Sequence, residues 1–130
     1  MSVKVLQPAG WARPRGYANG IAAEGRQVFV SGQIGWDAGQ RIVSDDFAAQ
    51  ARQALANIVA VLAEAGAKPE HLVRLTWYVT SRDEYNASLA GIGAAYRELI
   101  GRHYPAMSVV IVAGLLEPRA RVEIEATAVV

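Results

Sequence analysis

Cysteine is absent from this 130-residue chain. Disulfides, thiolate nucleophiles and cysteine-based zinc sites are therefore excluded. Lysine is scarce, with Lys4 and Lys68 alone, so arginine carries most of the positive charge. Charged residues make up only 19% of the chain, against about 25% in a typical domain. A small domain so poorly charged often gives part of its surface to an oligomer interface. Lys plus Arg total 13 and Asp plus Glu total 12, a formal net charge of +1. That near-neutral balance, with the basic residues scattered, argues against a nucleic-acid partner. No apolar run approaches the roughly 18 residues of a membrane span. Met1 to Pro14 lacks the apolar core of a signal peptide. The expectation is a cytoplasmic protein with no membrane partner.

Several catalytic signatures are missing as well. His71 and His103 are the only histidines, and neither belongs to a metal-ligand pattern such as H-E-x-x-H. No metal is expected. No G-x-S-x-G elbow, P-loop or G-x-G-x-x-G occurs, so no nucleotide or other cofactor is expected. Gly91-Ile92-Gly93 falls inside a helical pattern and does not read as a phosphate loop.

What is present reads as one domain over residues 1–130, long enough to bury a core without staples. Met1 to Gly16 reads as a short strand and a loop. Tyr17 to Ala23 and Gln27 to Gln33 flank Glu24-Gly25-Arg26, the signal of a hairpin. Gly32 to Gln40 reads as loop. Ser44 or Asp45 is placed to cap a helix, with Asp45 and Asp46 suited to its positive end. Phe47, Ala51, Leu55, Ile58 and Leu62 then recur on one helical face, and Gly66 ends the run. Leu72 to Thr80 reads as a strand. A second helix is predicted from Ser81 or Asp83 to about Ile100, with Leu89, Ile92, Tyr96 and Leu99 on one face. Ser108 to Ala113 and Arg121 to Val129 complete the strands.

The order β-β-β-α-β-α-β-β predicts an α+β fold, a mixed sheet of about six strands with two helices on one face. Val122, Ile124, Ala126 and Ala128 face one side of the last strand. Arg121, Glu123, Glu125 and Thr127 face the other, where an ion-pair ladder is one reading. Two helices cannot cover both faces of such a sheet, so a second copy of the chain is the natural cover.

Four segments together resemble a known family. Ser31-Gly32-Gln33-Ile34 follows a strand, and Gln50 to Asn57 reads QARQALAN. Tyr104-Pro105-Ala106 precedes a strand, and Val122-Glu123-Ile124-Glu125-Ala126 lies near the end. In this order and spacing they are similar to the Rid family, also called YjgF, whose best-known members are reactive-intermediate deaminases. The resemblance runs from Tyr17 to Val129. It implies a chorismate-mutase-like (YjgF-like) fold, a homotrimer, and a small-molecule ligand in a cleft between subunits. Family deaminases hydrolyse short 2-imino or enamine acids to 2-keto acids and ammonia without a metal or organic cofactor.

The resemblance also implies roles for individual residues. Glu123 matches the water-positioning glutamate and Tyr17 the tyrosine that orients ligand or water. Ser31, Gly32 and Gln33 match the pocket-lining Ser-Gly-Gln. Trp36, in the glycine-rich loop that follows, is placed to cover a ligand mouth. Lys4 and Lys68 lie outside these segments, so a Schiff-base lysine is not expected.

Two departures stand out. Family deaminases carry arginine after Tyr-Pro-Ala to hold the substrate carboxylate, and this chain has Met107. Losing such a charge-assisted contact costs about 1.5–3 kcal/mol, roughly 10- to 100-fold in binding. The family often has asparagine three residues before Tyr96, where this chain has Gly93. Arg15, Arg102, Arg119 and Arg121 are the candidates to replace the lost anchor. The expectation is a hydrolase of imines or enamines with non-standard specificity. Alternatives are a non-catalytic metabolite-binding or regulatory trimer, a 2-aminomuconate deaminase-like enzyme, and the endoribonuclease activity often attached to the family.

Overall fold

The computed structural model describes residues 2–130. Met1, which opens the first predicted strand, lies outside the described residues. Six strands and three helices follow in the order β1 (Ser2–Leu6), β2 (Gly20–Glu24), β3 (Gln27–Ile34), α1 (Phe47–Glu64), β4 (Leu72–Val79), α2 (Arg82–Ala87), α3 (Leu89–Leu99), β5 (Ala106–Ile111) and β6 (Val122–Val129). The fold is the predicted α+β type, and the six strands divide into two sheets. Strands β3, β6, β4 and β5 form a mixed sheet in that order, and β1 pairs with β2 in an antiparallel ribbon. A parallel bridge between Ala18 and Ala106 joins the chain just before β2 to the β5 edge.

The ribbon corrects the predicted hairpin. Gly25, at φ +144°, does turn the chain between β2 and β3. However, β2 takes β1 as its partner and β3 takes β6. Adjacent strands with a turn between them satisfy the local hairpin signal, but the partners are chosen by which side chains can be buried together. Val28 and Val30 of β3 pack into the main core, while all of β1 is exposed.

Helix α1 presents Phe47, Ala51, Leu55, Ile58 and Leu62 to the sheet, as the periodicity predicted, and all five are buried. Its cap is Asp46, whose carboxylate accepts the Ala49 N–H at 2.9 Å; Ser44 Oγ instead accepts the Asp46 N–H at 3.0 Å. The predicted second helix is broken at Ser88, whose φ and ψ of −104° and 6° leave the helical region. The sheet contributes Leu75, Trp77, Val79, Val122, Ile124 and Ala126 to the core. Burying these side chains supplies roughly 1.5–3 kcal/mol for each large one. The opposite face of the sheet carries no helix and displays Phe29, which is 71% exposed.

Candidate active site

Strand β3 does not run evenly against β6. Val30 pairs with Ala126 and Gln33 with Ile124, so Ser31 and Gly32 together oppose Glu125. This is a β-bulge, which bends a strand and re-aims its side chains. At the bulge Gly32 has no side chain, and the Glu123 carboxylate occupies the space where a Cβ at that position would sit. Only glycine permits this approach. Gly32, Ile34, Trp36, Leu116, Glu117 and Glu123 bound a hollow of about 230 Å³. Trp36 therefore reaches the same hollow as Glu123. Leu116, on the loop before β6, is fully exposed.

Two polar residues on the apolar face of α1 hold this corner. Gln50 is completely buried. Its Nε2 donates to the Ser44 and Arg119 carbonyls at 2.9 and 3.0 Å, and its Oε1 accepts the Arg121 N–H at 2.8 Å. Asn57, two turns on, donates to the carbonyls of Ile34 and Trp36 at 3.3 and 2.9 Å. A Cβ at Gly35 would fall 2.6 Å from the Gln50 Cα, so helix and strand end meet backbone to backbone. These bonds fix the end of β3 from one side and the start of β6 from the other. The sequence signal was a polar residue at helical spacing among apolar ones, here Gln50 and Asn57.

The two carboxylates of β6 are in different environments. Glu125 accepts the Tyr78 hydroxyl at 2.6 Å. That hydrogen bond, then burial, then the charges of Glu125 and Glu123 push the Tyr78 phenol above its ordinary value. Glu123 has no hydrogen bond or ion pair within the chain among the described residues. The ladder reading of this face is not what forms, because Arg121 turns to α2. Its Nη1 donates to both Glu84 carboxylate oxygens at 2.9 and 2.8 Å.

Met107 lies on the other side of the sheet. It pairs with Leu75, a core residue, and packs against the core, whereas Glu123 pairs with Tyr78 on the helix-free face. Met107, Trp77, Tyr85, Tyr96 and Tyr104 wall a cavity of about 320 Å³ between α2–α3 and the β4–β5 edge. The rings of Tyr96 and Tyr104 stack at 5.4 Å between centroids, 5° from parallel. Tyr96 donates its hydroxyl to the His103 carbonyl at 2.5 Å, and Phe47 meets Tyr85 edge-on at 6.2 Å.

The sequence-nominated residues thus fall into two groups. Ser31, Gly32, Gln33 and Trp36 line one shallow hollow over α1, and of these Gly32 and Trp36 also bound the Glu123 hollow. Gln33 Nε2 donates back to the Ser31 carbonyl at 3.2 Å. Arg15 joins Met107 at the second cavity. Tyr17 is 42% exposed and lies between Gly16 at that cavity and Ala18 at the β5 edge. Within one chain it is not gathered with Glu123. Of the other arginines considered, Arg119 pairs with Asp45 at 3.0 Å and Arg121 with Glu84. Arg102 lines neither cavity. Both histidines are tied to backbone, His71 Nδ1 accepting the Lys68 N–H and His103 Nε2 lying 2.7 Å from the Leu72 carbonyl.

The sequence profile of the family described as Endoribonuclease L-PSP matches residues 11–130. Over 116 residues the chain is 36% identical to a 2-iminobutanoate/2-iminopropanoate deaminase of Salmonella typhimurium, covering 87% of this chain and 86% of that protein. The chain belongs to the Rid family. A human member with the same deaminase name is 31% identical over 105 residues, 80% of this chain and 73% of that protein. Among solved structures, the Rid-family protein YyfB of Yersinia pestis, a protein of unknown function, superposes with a TM-score of 0.88. It is 34% identical, with all of both chains covered. The YjgF product of Escherichia coli is 35% identical but superposes at only 0.68, over 87% of each chain. At equal identity, then, Rid-family backbones differ in how closely they follow this one. No helix among the described residues is long and apolar enough to cross a membrane.

Proposed function

We propose that this Rid-family protein hydrolyses reactive imine or enamine intermediates to carbonyl compounds and ammonia, on substrates other than the short 2-imino acids. The observation that carries the reading is the Glu123 carboxylate, seated against Gly32 with no hydrogen-bond or ion-pair partner among the described residues. A carboxylate so held is a general base within reach of a water. The water oxygen bonds to the imine carbon as the C=N electron pair moves to nitrogen, and Glu123 takes the water's proton. The resulting carbinolamine receives that proton on nitrogen. Its C–N bond then breaks as the hydroxyl's proton passes through Glu123 to the leaving nitrogen, giving a carbonyl and ammonia. Water is the only co-reactant.

Glu123 and Met107 lie on opposite faces of one sheet, so a substrate touching both must lie between copies of the chain. The same helix-free face that displays Phe29 needs cover. Both facts support a homotrimer in which Glu123 of the partner subunit faces the cavity beside Met107. Tyr17, Ser31, Gln33 and Trp36 would line the same cleft. The non-catalytic alternative rests on Met107, which offers no charge to a carboxylate.

The test is hydrolysis of freshly generated 2-iminobutanoate, 2-iminopropanoate and bulkier imino acids by the native protein and by Glu123→Gln. The reading expects turnover of at least one bulkier imino acid in preference to the two short ones, and a loss of roughly 10²- to 10⁴-fold in the variant, the usual weight of a general base. No turnover of any imine by a folded native trimer would move the non-catalytic reading ahead.

A further inference from the structure

The cavity beside Met107 holds a positive charge that the sequence pattern did not nominate. Arg97 lines it from α3, together with Gly93 one turn earlier. A Cβ at Gly93 would stand 3.2 Å from Arg97 Nη1, so the guanidinium lies folded back over the bare backbone of that residue. Residues four apart on a helix are neighbours, and a side chain leans toward the N-terminal turn. Glycine at position 93 gives this seat its full room, since a Cβ there would press the guanidinium back by a few tenths of an ångström, at a cost of about 0.5–1 kcal/mol in helix stability relative to alanine.

Neither Arg97 nor Arg15, which lines the same cavity, has a carboxylate within ion-pair distance among the described residues. By contrast Arg41, Arg52, Arg119 and Arg121 are all paired. Trp77, Tyr85, Tyr96 and Tyr104 supply aromatic walls to the same cavity. Trp77, one of those walls, is 3% exposed, and its buried indole N–H has no acceptor among the described residues. A cavity of about 320 Å³ lies at the small end of ligand pockets, which run from about 300 to 1,000 Å³. It is ample for one ring and a carboxylate.

We propose that Arg97, seated over Gly93, is the anion anchor of this cavity, and that its ligand is a 2-oxo or 2-imino acid with an aromatic side chain. The ring packs among Tyr85, Trp77 and Tyr96, and the carboxylate meets Arg97 with Arg15 beside it. The positive charge absent from position 107 on β5 is supplied instead from α3. Met107 then serves as an apolar wall, where a thioether beside aromatic rings is favourable. The reaction this implies rests on the deaminase reading; the ligand assignment does not.

Equilibrium binding separates the two. Phenylpyruvate and 2-oxobutanoate are titrated by calorimetry into native protein, Arg97→Gln and Gly93→Asn. Position 97 is exposed and asparagine is no worse a helix former than glycine, so both variants should fold. Native protein is expected to bind phenylpyruvate at least 10-fold tighter than 2-oxobutanoate. Arg97→Gln should weaken phenylpyruvate roughly 10- to 100-fold, as loss of a charge-assisted contact does. Gly93→Asn, which displaces the guanidinium, should weaken it while raising or keeping the melting temperature. Equal affinity for the two acids, or phenylpyruvate binding unchanged in both variants, would overturn the assignment. Arg97-dependent binding without turnover of any imine would uphold the ligand site and count against the deaminase reading. Imine turnover that Arg97→Gln leaves intact, with no phenylpyruvate binding, would overturn the ligand site and uphold the deaminase reading.

Discussion

The carboxylate of Glu123 rests where a side chain on Gly32 would be. One residue comes from β6 and the other from the bulge of β3, so the relationship exists only because those strands pair with one extra residue at Ser31–Gly32. The bulge sets the position of the candidate base more directly than any bond to the carboxylate.

Gly32→Ala tests this. The added methyl meets the Glu123 carboxylate, which is the mobile end of a side chain and must swing away. Stability should change by no more than about 1 kcal/mol, within the usual range for a site that can yield. Imine hydrolysis should fall by roughly 10²-fold, because a small misplacement of a catalytic group has that effect. Steady-state kinetics beside a urea denaturation curve gives both numbers. Full activity in the variant would mean that Glu123 acts from another position.

Gln50→Leu should destabilise the fold by about 2–4 kcal/mol. Leucine fills the volume but leaves the Ser44 and Arg119 carbonyls and the Arg121 N–H without their partner. Each buried polar group left unpaired costs about 1–3 kcal/mol. Urea unfolding should show a lower midpoint at unchanged slope. An unchanged midpoint would mean that water replaces the amide.

Alkaline stability should depend on Tyr96. Burial first, and the neighbouring Tyr104 second, push its phenol well above the ordinary value. An unfolded tyrosine ionises near pH 10. The folded state therefore keeps a proton that the unfolded state releases above about pH 10. The stabilisation is complete below that pH and is lost progressively as pH rises beyond it. Tyr96→Phe should be less stable at pH 8 by about 0.5–1.5 kcal/mol, for want of the hydrogen bond to His103. Its stability should decline less steeply above pH 10. Parallel decline in both proteins would place the alkaline transition on other groups.

Phe29→Asp should break the proposed trimer. The side chain is 71% exposed on the helix-free face, beside Arg74, Thr76 and Thr127. A charge there would face desolvation in any interface that covers the face. Light scattering should read three chains for the native protein and one for the variant. A native monomer at micromolar concentration would remove the shared cleft and with it the joint use of Glu123 and Met107.

Local patterning by itself determined a good deal. The apolar period of α1, the alternation in β6 and the glycine stop at Gly66 are properties of short segments, set by backbone geometry and burial. They were legible as they stand. So were the family segments and the departure at Met107, since these depend only on order and spacing. The tertiary structure decided the rest. It chose β1 over β3 as the partner of β2, because pairing is settled by long-range burial and not by the turn between strands. It turned Gln50 and Asn57 from motif letters into the bonds that hold the end of β3 and the start of β6. It spent Arg119 and Arg121 on Asp45 and Glu84, and folded Arg97 over Gly93 into the cavity where Met107 stands. A guanidinium at the end of a long flexible side chain goes where a carboxylate or an open seat is found. Only the assembled fold says where those are.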